Sequence, residues 1–259
     1  LRRLLEAGLP RERILVLVAT GTHAPLPERE LERMLDPRVL AAGISIRNHD
    51  ARDPGELAHL GRTSRGEEVY VNRAYLGAGI RILTGLVESH FIAGVSGGRK
   101  SICPGLIGER STHRFHGAEM MAAEGARDLA LDGNPCHEEA LEVARMAGAD
   151  FIINATLDKS FRMTGVFAGH LEEAHRTAFD FLAGYVRVPF AQPYDAVATH
   201  AGFVGINHYQ SVKAALAALP AAGPGGRILV VAANTDADPV GSLRYRSVLA
   251  LLTLIGAQV

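Results

Sequence analysis

Tryptophan is absent from this chain, and cysteine occurs only twice, at Cys103 and Cys136. Two cysteines make no disulfide framework and fit a reducing compartment, so the cytoplasm is the expected location. No apolar run approaches the roughly twenty residues that a membrane-spanning helix needs. An excess of charge is missing as well. The 27 Lys and Arg nearly balance 28 Asp and Glu, and the formal net charge of −1 gives no electrostatic basis for binding nucleic acid. Internal repeats and low-complexity tracts are also lacking. What remains is an ordinary globular composition, 47% hydrophobic and 21% charged over 259 residues, enough for one large or two ordinary domains.

Strand-like and helix-like stretches alternate. The apolar run Ile14–Ala19 reads as a buried strand that empties into Thr20-Gly-Thr-His-Ala-Pro, with helical spacing over Pro27–Leu35. Further strands are expected at Ile44–Asn48, Glu67–Val71, within Ala78–Val87, and at Phe151–Asn154 and Val166–Gly169. Helices are expected over Ala118–Ala126, Pro135–Met146 and Leu171–Ala183. The prolines at 189 and 193 read as a linker, after which a strand (Ala196–Thr199), a helix (Tyr209–Leu219) and a strand (Arg227–Ala233) follow. The expectation is two α/β domains, residues 1–189 and 190–259, with largely parallel sheets and an active site in the cleft between them. Both ends of the sequence look cut, within a helical pattern at Leu1 and within an apolar run at Val259.

The chain is organised around Glu88–Gly105, which holds His90, Arg99 and Lys100 among closely spaced glycines. Glycine lets backbone amides approach a bound group, so the loop reads as a seat for an anionic ligand. A Walker A loop is its first rival. Counting from Gly94 gives Gly-Val-Ser-Gly-Gly-Arg-Lys-Ser, with Arg99 where the second glycine belongs and with Pro104 and Gly105 against the helix that should follow. A Rossmann Gly-x-Gly-x-x-Gly is absent too. His23 lies in a loop after a strand, the favoured place for ligand contact in open α/β sheets. Two histidines, His23 and His90, on opposite sides of one substrate would suit proton transfer in either stereochemical direction, since imidazole titrates near neutral pH.

Asn48-His49-Asp50 reads as turn chemistry. His113 and His116 are three apart, a spacing that allows one metal ligand but lacks matching cysteine or carboxylate partners. His170 and His175 are assigned to an exposed helix face. In the second domain Gln210 and Lys213 share a helix face near its positive end, where an amide and an ammonium could hold a carboxylate.

Taken together, Thr20-Gly-Thr-His-Ala-Pro, Glu88-Ser-His through Gly-Gly-Arg-Lys-Ser-Ile-Cys-Pro-Gly, His116 at its spacing from Lys100, and Tyr209-Gln210-x-x-Lys213 resemble the nickel-pincer-dependent lactate racemase family. The order of these motifs is kept across nearly the whole chain. The resemblance implies that His23 and His90 are acid/base residues and that Lys100 is joined to a pyridinium-bisthiocarboxylate mononucleotide carrying nickel. It implies His116 as the protein ligand to nickel, with Gln210 and Lys213 binding substrate. The implied reaction is racemisation or epimerisation of a small 2-hydroxy acid, lactate first, by hydride transfer between C2 and the cofactor. Cofactor-biosynthesis proteins are the implied partners for maturation. The family's Asp-x-Thr-Arg-type segment and its later C-terminal segment are not found, and are expected to lie outside this sequence. A different class stays open: a non-catalytic binding protein for a phosphorylated or carboxylated metabolite, using the same loop. A metal-dependent hydrolase on His49, Asp50 and His113 lacks ligand spacing.

Overall fold

In a computed structural model, which describes residues 1–256, the chain divides into two compact units, Leu1–Val186 and the residues from Arg187 onward. The last three positions of the expected second domain lie outside the described residues. The architecture is α/β, with parallel strand pairs in both units and antiparallel additions in the first.

The first unit opens with helix α1 (Arg2–Glu6) and strand β1 (Leu15–Val18), then α2 (Glu28–Met34), α3 (Pro37–Ala41) and β2 (Ser45–Asn48). β1 pairs with β2 in parallel. β1 was expected to be buried on both faces; instead it is half-buried throughout, because this sheet has only two strands. Strand β3 (Leu57–Arg62) and β4 (Glu68–Asn72) form an antiparallel hairpin, of which the sequence reading anticipated only the second arm.

After α4 (Arg73–Leu76) comes β5 (Ile82–Leu86), followed by the short hairpin of β6 (Ser89–His90) and β7 (Gly94–Val95). Helices α5 (Glu109–Phe115) and α6 (Ala118–Ala122) replace the single helix expected near residue 118, and α7 (Pro135–Ala147) follows. Asn134 caps α7, its side-chain oxygen accepting from the Cys136 and His137 amides, with Pro135 in the first turn where its missing N–H costs nothing. Its buried residues Cys136, Glu139, Ala140, Val143, Ala144 and Ala147 recur at helical spacing on one face.

Strand β8 (Phe151–Leu157) is the centre of a three-stranded sheet, parallel to β5 and antiparallel to β9 (Met163–Gly169). Helix α8 (Leu171–Val186) packs on it through Leu171, Ala174, Ala178, Phe179 and Leu182. The core gathers Val71, Leu83, Ile102, Ile107, Phe115, Val143 and Ile152. Burying each large aliphatic side chain is worth about 1.5–3 kcal/mol, so this cluster fixes how the loops above β5 and β8 are seated.

In the second unit β10 (Tyr194–His200) pairs in parallel with β11 (Ala222–Val231), and α9 (His208–Ala218) connects them. The turn expected at Ala222-Gly-Pro-Gly-Gly is part of β11, taken up by a register shift opposite Tyr194–Ala196. Helix α10 (Leu243–Ile255) closes the described chain. Among the described residues no helix is long and apolar enough to cross a membrane.

Candidate active site

The loop Glu88–Gly105 leaves the carboxyl end of β5, the side of a parallel sheet where ligands collect. Its seat is polar. Asn154, fully buried on the central strand β8, accepts the Gly98 amide at 3.0 Å and donates to Gly85 O at 3.3 Å. Lys100 follows in a short 3-10 turn, Gly98–Ser101, rather than at the head of a long helix, which agrees with setting a Walker A loop aside.

Several amides of the loop are engaged within the protein. The Gly98 amide is taken by Asn154, that of Lys100 by Gly97 O, and those of Ile102 and Cys103 by Arg99 O. Gly98 has φ +50°, and a Cβ there would lie 2.6 Å from Cδ2 of His175. A Cβ on Gly97 would lie 2.8 Å from Val87 Cγ2 and 2.9 Å from Leu86 O. Close packing of the loop onto its own sheet and helix demands glycine at both positions.

His23 and Lys100 are on loops that meet. Gly21 donates its amide to Gly105 O at 2.9 Å, and Thr20 Oγ1 donates to His49 O at 2.8 Å. Arg52 bridges the same loop to α5, donating to Thr22 O at 3.2 Å and to Glu109 Oε1 at 3.0 Å. His49, read from sequence as structural, is buried, with Nε2–H donating to Ile107 O at 3.1 Å while Nδ1 accepts from Asn72 Nδ2 at 3.1 Å. Burial holds its proton affinity below the ordinary imidazole value.

His116 ends α5. Its Nδ1 lies 2.9 Å from Thr112 O, and a carbonyl can only accept, so Nδ1 carries the proton and Nε2 keeps its lone pair. The residue keeps an exposed edge, yet burial of the ring lowers its affinity for a proton, and the charges of Lys100, His113 and His23 lower it further. His113 is exposed and faces Glu109 at 3.9 Å.

His90 is half-buried at the end of β6. Its Nδ1 accepts from the Ile92 amide at 3.4 Å and the Ala93 amide at 3.2 Å, and its ring stacks on Phe91 with centroids 5.2 Å apart. Behind the loop lie residues that sequence reasoning passed over. Arg99, only 1% exposed, donates to Ala93 O at 2.6 Å and to His175 Nε2 at 2.9 Å. His175 Nε2 also lies 2.9 Å from Ser96 O. One nitrogen cannot accept and donate at once: bare Nε2 accepts from Arg99, Nε2–H donates to Ser96 O, and the two contacts belong to different tautomers. Burial pushes Arg99 down to about 9, and burial with the Arg99 charge pushes His175 to about 3 and His137 to about 4. The exposed face expected for His175 is therefore a correction: the ring is buried because it backs Gly98. His170 is exposed as expected.

In the second unit Asn207 caps α9, accepting from the Gln210 amide at 3.0 Å, and its Nδ2 donates to Asp236 at 2.8 Å. Gln210 and Lys213 lie a turn apart on that helix, both half-buried. The Lys213 ammonium sits 5.7 Å from the Tyr209 ring centroid, and burial lowers its proton affinity.

No group of three or more His, Cys, Asp or Glu side chains able to hold a metal ion occurs among the described residues. A bare ion therefore finds no protein cage. A metal that brings its own ligands needs less: one imidazole with a lone pair, which His116 offers at Nε2, and a covalent attachment point, for which the Lys100 amine is chemically suited. The residues fit such a group.

Residues 1–128 match the lactate racemase N-terminal domain family. The lactate racemase of Lactiplantibacillus plantarum is 34% identical over 237 residues, covering 91% of this chain and 56% of that protein. That of Thermoanaerobacterium thermosaccharolyticum is 32% identical over 223 residues, covering 85% and 52%. The lactate racemase apoprotein structure from T. thermosaccharolyticum superposes with a TM-score of 0.83 at 31% identity, over 86% of this chain and 54% of that one. A Thermotoga maritima structure at 21% identity and a TM-score of 0.66, over 80% and 56%, shares the fold. The chain spans about half the length of these relatives. With the motif residues seated as described and these likenesses running along nearly all of its length, the chain belongs to the lactate racemase family.

Proposed function

We propose that this chain is part of a racemase or epimerase of a small 2-hydroxy acid, lactate first, working with a nickel-pincer nucleotide. The observation that carries this is the Gly21–Gly105 bond, which ties the loop of His23 to the loop of Lys100, beside a His116 whose Nδ1–H bond to Thr112 O leaves a lone pair on Nε2. Lys100 is the attachment point and His116 Nε2 the protein ligand. When bound, the cofactor supplies the acceptor and donor of hydride at the substrate's C2.

The chain's own residues then have limited tasks. His23 and His90 hold and move the hydroxyl proton, one on each side of the substrate. Gln210 and Lys213 bind the carboxylate, so that C2 is presented in a fixed orientation. Maturation calls for partner proteins that build the cofactor. The two free, buried cysteines, Cys103 and Cys136, are compatible with the cytoplasm.

The test is made with complete protein produced together with the cofactor-building enzymes. Lactate carrying deuterium at C2 should racemise with the label retained and with a primary isotope effect. Exchange of the C2 deuterium for solvent hydrogen would mean proton abstraction at carbon and would sink the hydride scheme. No racemisation of any chiral 2-hydroxy acid by protein with a modified Lys100 would sink the function.

A further inference from the structure

The amides that meet His90 Nδ1 belong to a stretch of backbone whose carbonyls are held from behind by two buried side chains. Asn134, with no exposed surface, donates from Nδ2 to Ile92 O at 2.9 Å, and the same amide group also reaches Ala130 O at 2.9 Å. Ile92 O and the Ala93 amide are the two ends of one peptide plane. Asn134 therefore fixes the plane whose N–H points at His90 Nδ1. Arg99 holds the next carbonyl, Ala93 O, and the carbonyl after that, Gly94 O, accepts the Leu129 amide at 3.0 Å. Three successive carbonyls are thus anchored, and the Ala93 amide, on the first of these peptide planes, is presented to the histidine together with the Ile92 amide just before it.

We infer that Asn134 and Arg99 are positioning residues that hold His90 in one tautomer, with Nδ1 accepting and the ring proton on Nε2. The inference rests on the proposed function only for the role of His90 in turnover; the geometry stands without it. An N–H donor facing Nδ1 is incompatible with a proton on Nδ1, since two hydrogens would then oppose each other. In its neutral resting form His90 accordingly offers Nε2–H, a hydrogen-bond donor suited to the hydroxyl or keto oxygen of a 2-hydroxy acid. Serving as a base through Nε2 requires the ring first to give up its backbone contacts. The loop thereby biases His90 toward holding the oxygen.

Arg99 contributes a second feature. A fully buried guanidinium whose Nε lacks a hydrogen-bond partner is costly to maintain unless its remaining bonds set something. Those bonds run to Ala93 O, Gly97 O and His175 Nε2, so one side chain joins the turn that carries Lys100 to the loop that carries His90.

The experiment uses apoprotein with 15N-labelled histidine, so that it does not depend on the cofactor. Long-range 1H–15N spectra report the tautomer directly, and the His90 signal is assigned by its loss in His90→Gln. Wild-type protein is expected to show the Nε2–H form. Asn134→Ser keeps a capping oxygen for α7 but loses the donor to Ile92 O. Its tautomer ratio should move by about fivefold toward Nδ1–H, the worth of one ordinary hydrogen bond. Arg99→Met, which removes the buried charge at similar volume, should move it in the same direction and decides the matter if Asn134→Ser fails to fold. A wild-type His90 in the Nδ1–H form overturns the inference, as does a folded variant with an unchanged ratio. A second arm measures holoenzyme: Asn134→Ser should lower kcat with little change in KM. Absence of racemase activity in wild type would refute the proposed function and leave the tautomer result standing.

Discussion

Gly21 donates its backbone N–H to the carbonyl of Gly105 at 2.9 Å, and this bond ties the loop carrying His23 to the loop carrying Lys100. The two glycines are 84 positions apart, and nothing between them in sequence announces the contact. Gly105 makes the approach possible. A Cβ added there would collide with Ser101 O and lie 2.9 Å from both Ala19 Cβ and Lys100 O.

Gly105→Ala is therefore expected to destabilise the first unit by about 1–3 kcal/mol, as overpacking against backbone does. Urea unfolding measures it. Gly184→Ala is the control. Gly184 lies inside α8, an added Cβ there meets nothing within 4 Å, and the helix should gain about 0.5–1 kcal/mol. Equal midpoints for the two variants would mean that the Gly105 contact is loose.

Stability should also depend on pH below neutrality. His175 and His137 have folded pKa values of about 3 and about 4 against an ordinary 6.5, chiefly through burial and then the Arg99 charge. Between those limits the unfolded chain binds protons that the folded chain refuses. Stability is then full above pH 6.5 and falls as pH drops, by about 1.4 kcal/mol per pH unit for each histidine within its window. The charged groups facing the pair are Arg99 and Arg176, with Asp132 and Glu172 opposing them at His137. Burial shifts His49 and His116 in the same direction. Unfolding midpoints between pH 7 and pH 5 should decline in wild type and decline less steeply in His137→Gln. Parallel slopes would remove His137 from this account.

Much of this was legible in the sequence, and the parts that were not share a cause. Apolar runs and cap signatures are local, so β1, β2, β8, α7 and α9 fall close to where the pattern puts them. Helix α7 shows why: Asn134-Pro135 is a cap followed by a first-turn proline, readable without any partner. His175 was placed on an exposed face because its helix neighbours gave no warning that Gly98 would need a flat ring behind it. The glycines of the central loop were read as an opening for a ligand, when their neighbours are Val87, Leu86 and His175. Asn154 did leave a trace, a lone amide in the apolar strand Phe151-Ile-Ile-Asn, and a buried amide in a strand must find partners. Its partner, the Gly98 amide, comes from a distant segment.

Removing the metal ligand and removing the attachment point should have separable effects. In protein made with the cofactor-building enzymes, His116→Ala should keep a mass adduct on Lys100 while losing nickel. Lys100→Ala should lose both. The basis is the lone pair at His116 Nε2, fixed by the Nδ1–H bond to Thr112 O. Intact mass and metal analysis read the two outcomes independently of turnover. Nickel retained at wild-type level in His116→Ala would remove His116 as ligand.

Lys213 is the sharpest test of substrate binding, because an ammonium is the natural partner of a carboxylate and this one is half-buried on α9. Burial lowers its proton affinity, and the Tyr209 ring centroid lies 5.7 Å from the ammonium. A substrate carboxylate brought against the ammonium forms a charge-assisted hydrogen bond, worth about 1.5–3 kcal/mol. Lys213→Met keeps the aliphatic stem and deletes the charge. It should raise KM for a 2-hydroxy acid by about ten- to a hundredfold while leaving thermal stability unchanged or slightly higher, since a half-buried charge has been removed. Lys213→Arg should recover only part of the loss, because a planar fork does not reproduce a point charge. An uncharged amide of the same acid supplies the internal control. It should bind wild type and Lys213→Met alike, whereas a KM for the acid that stays the same in Lys213→Met takes Lys213 out of the binding site.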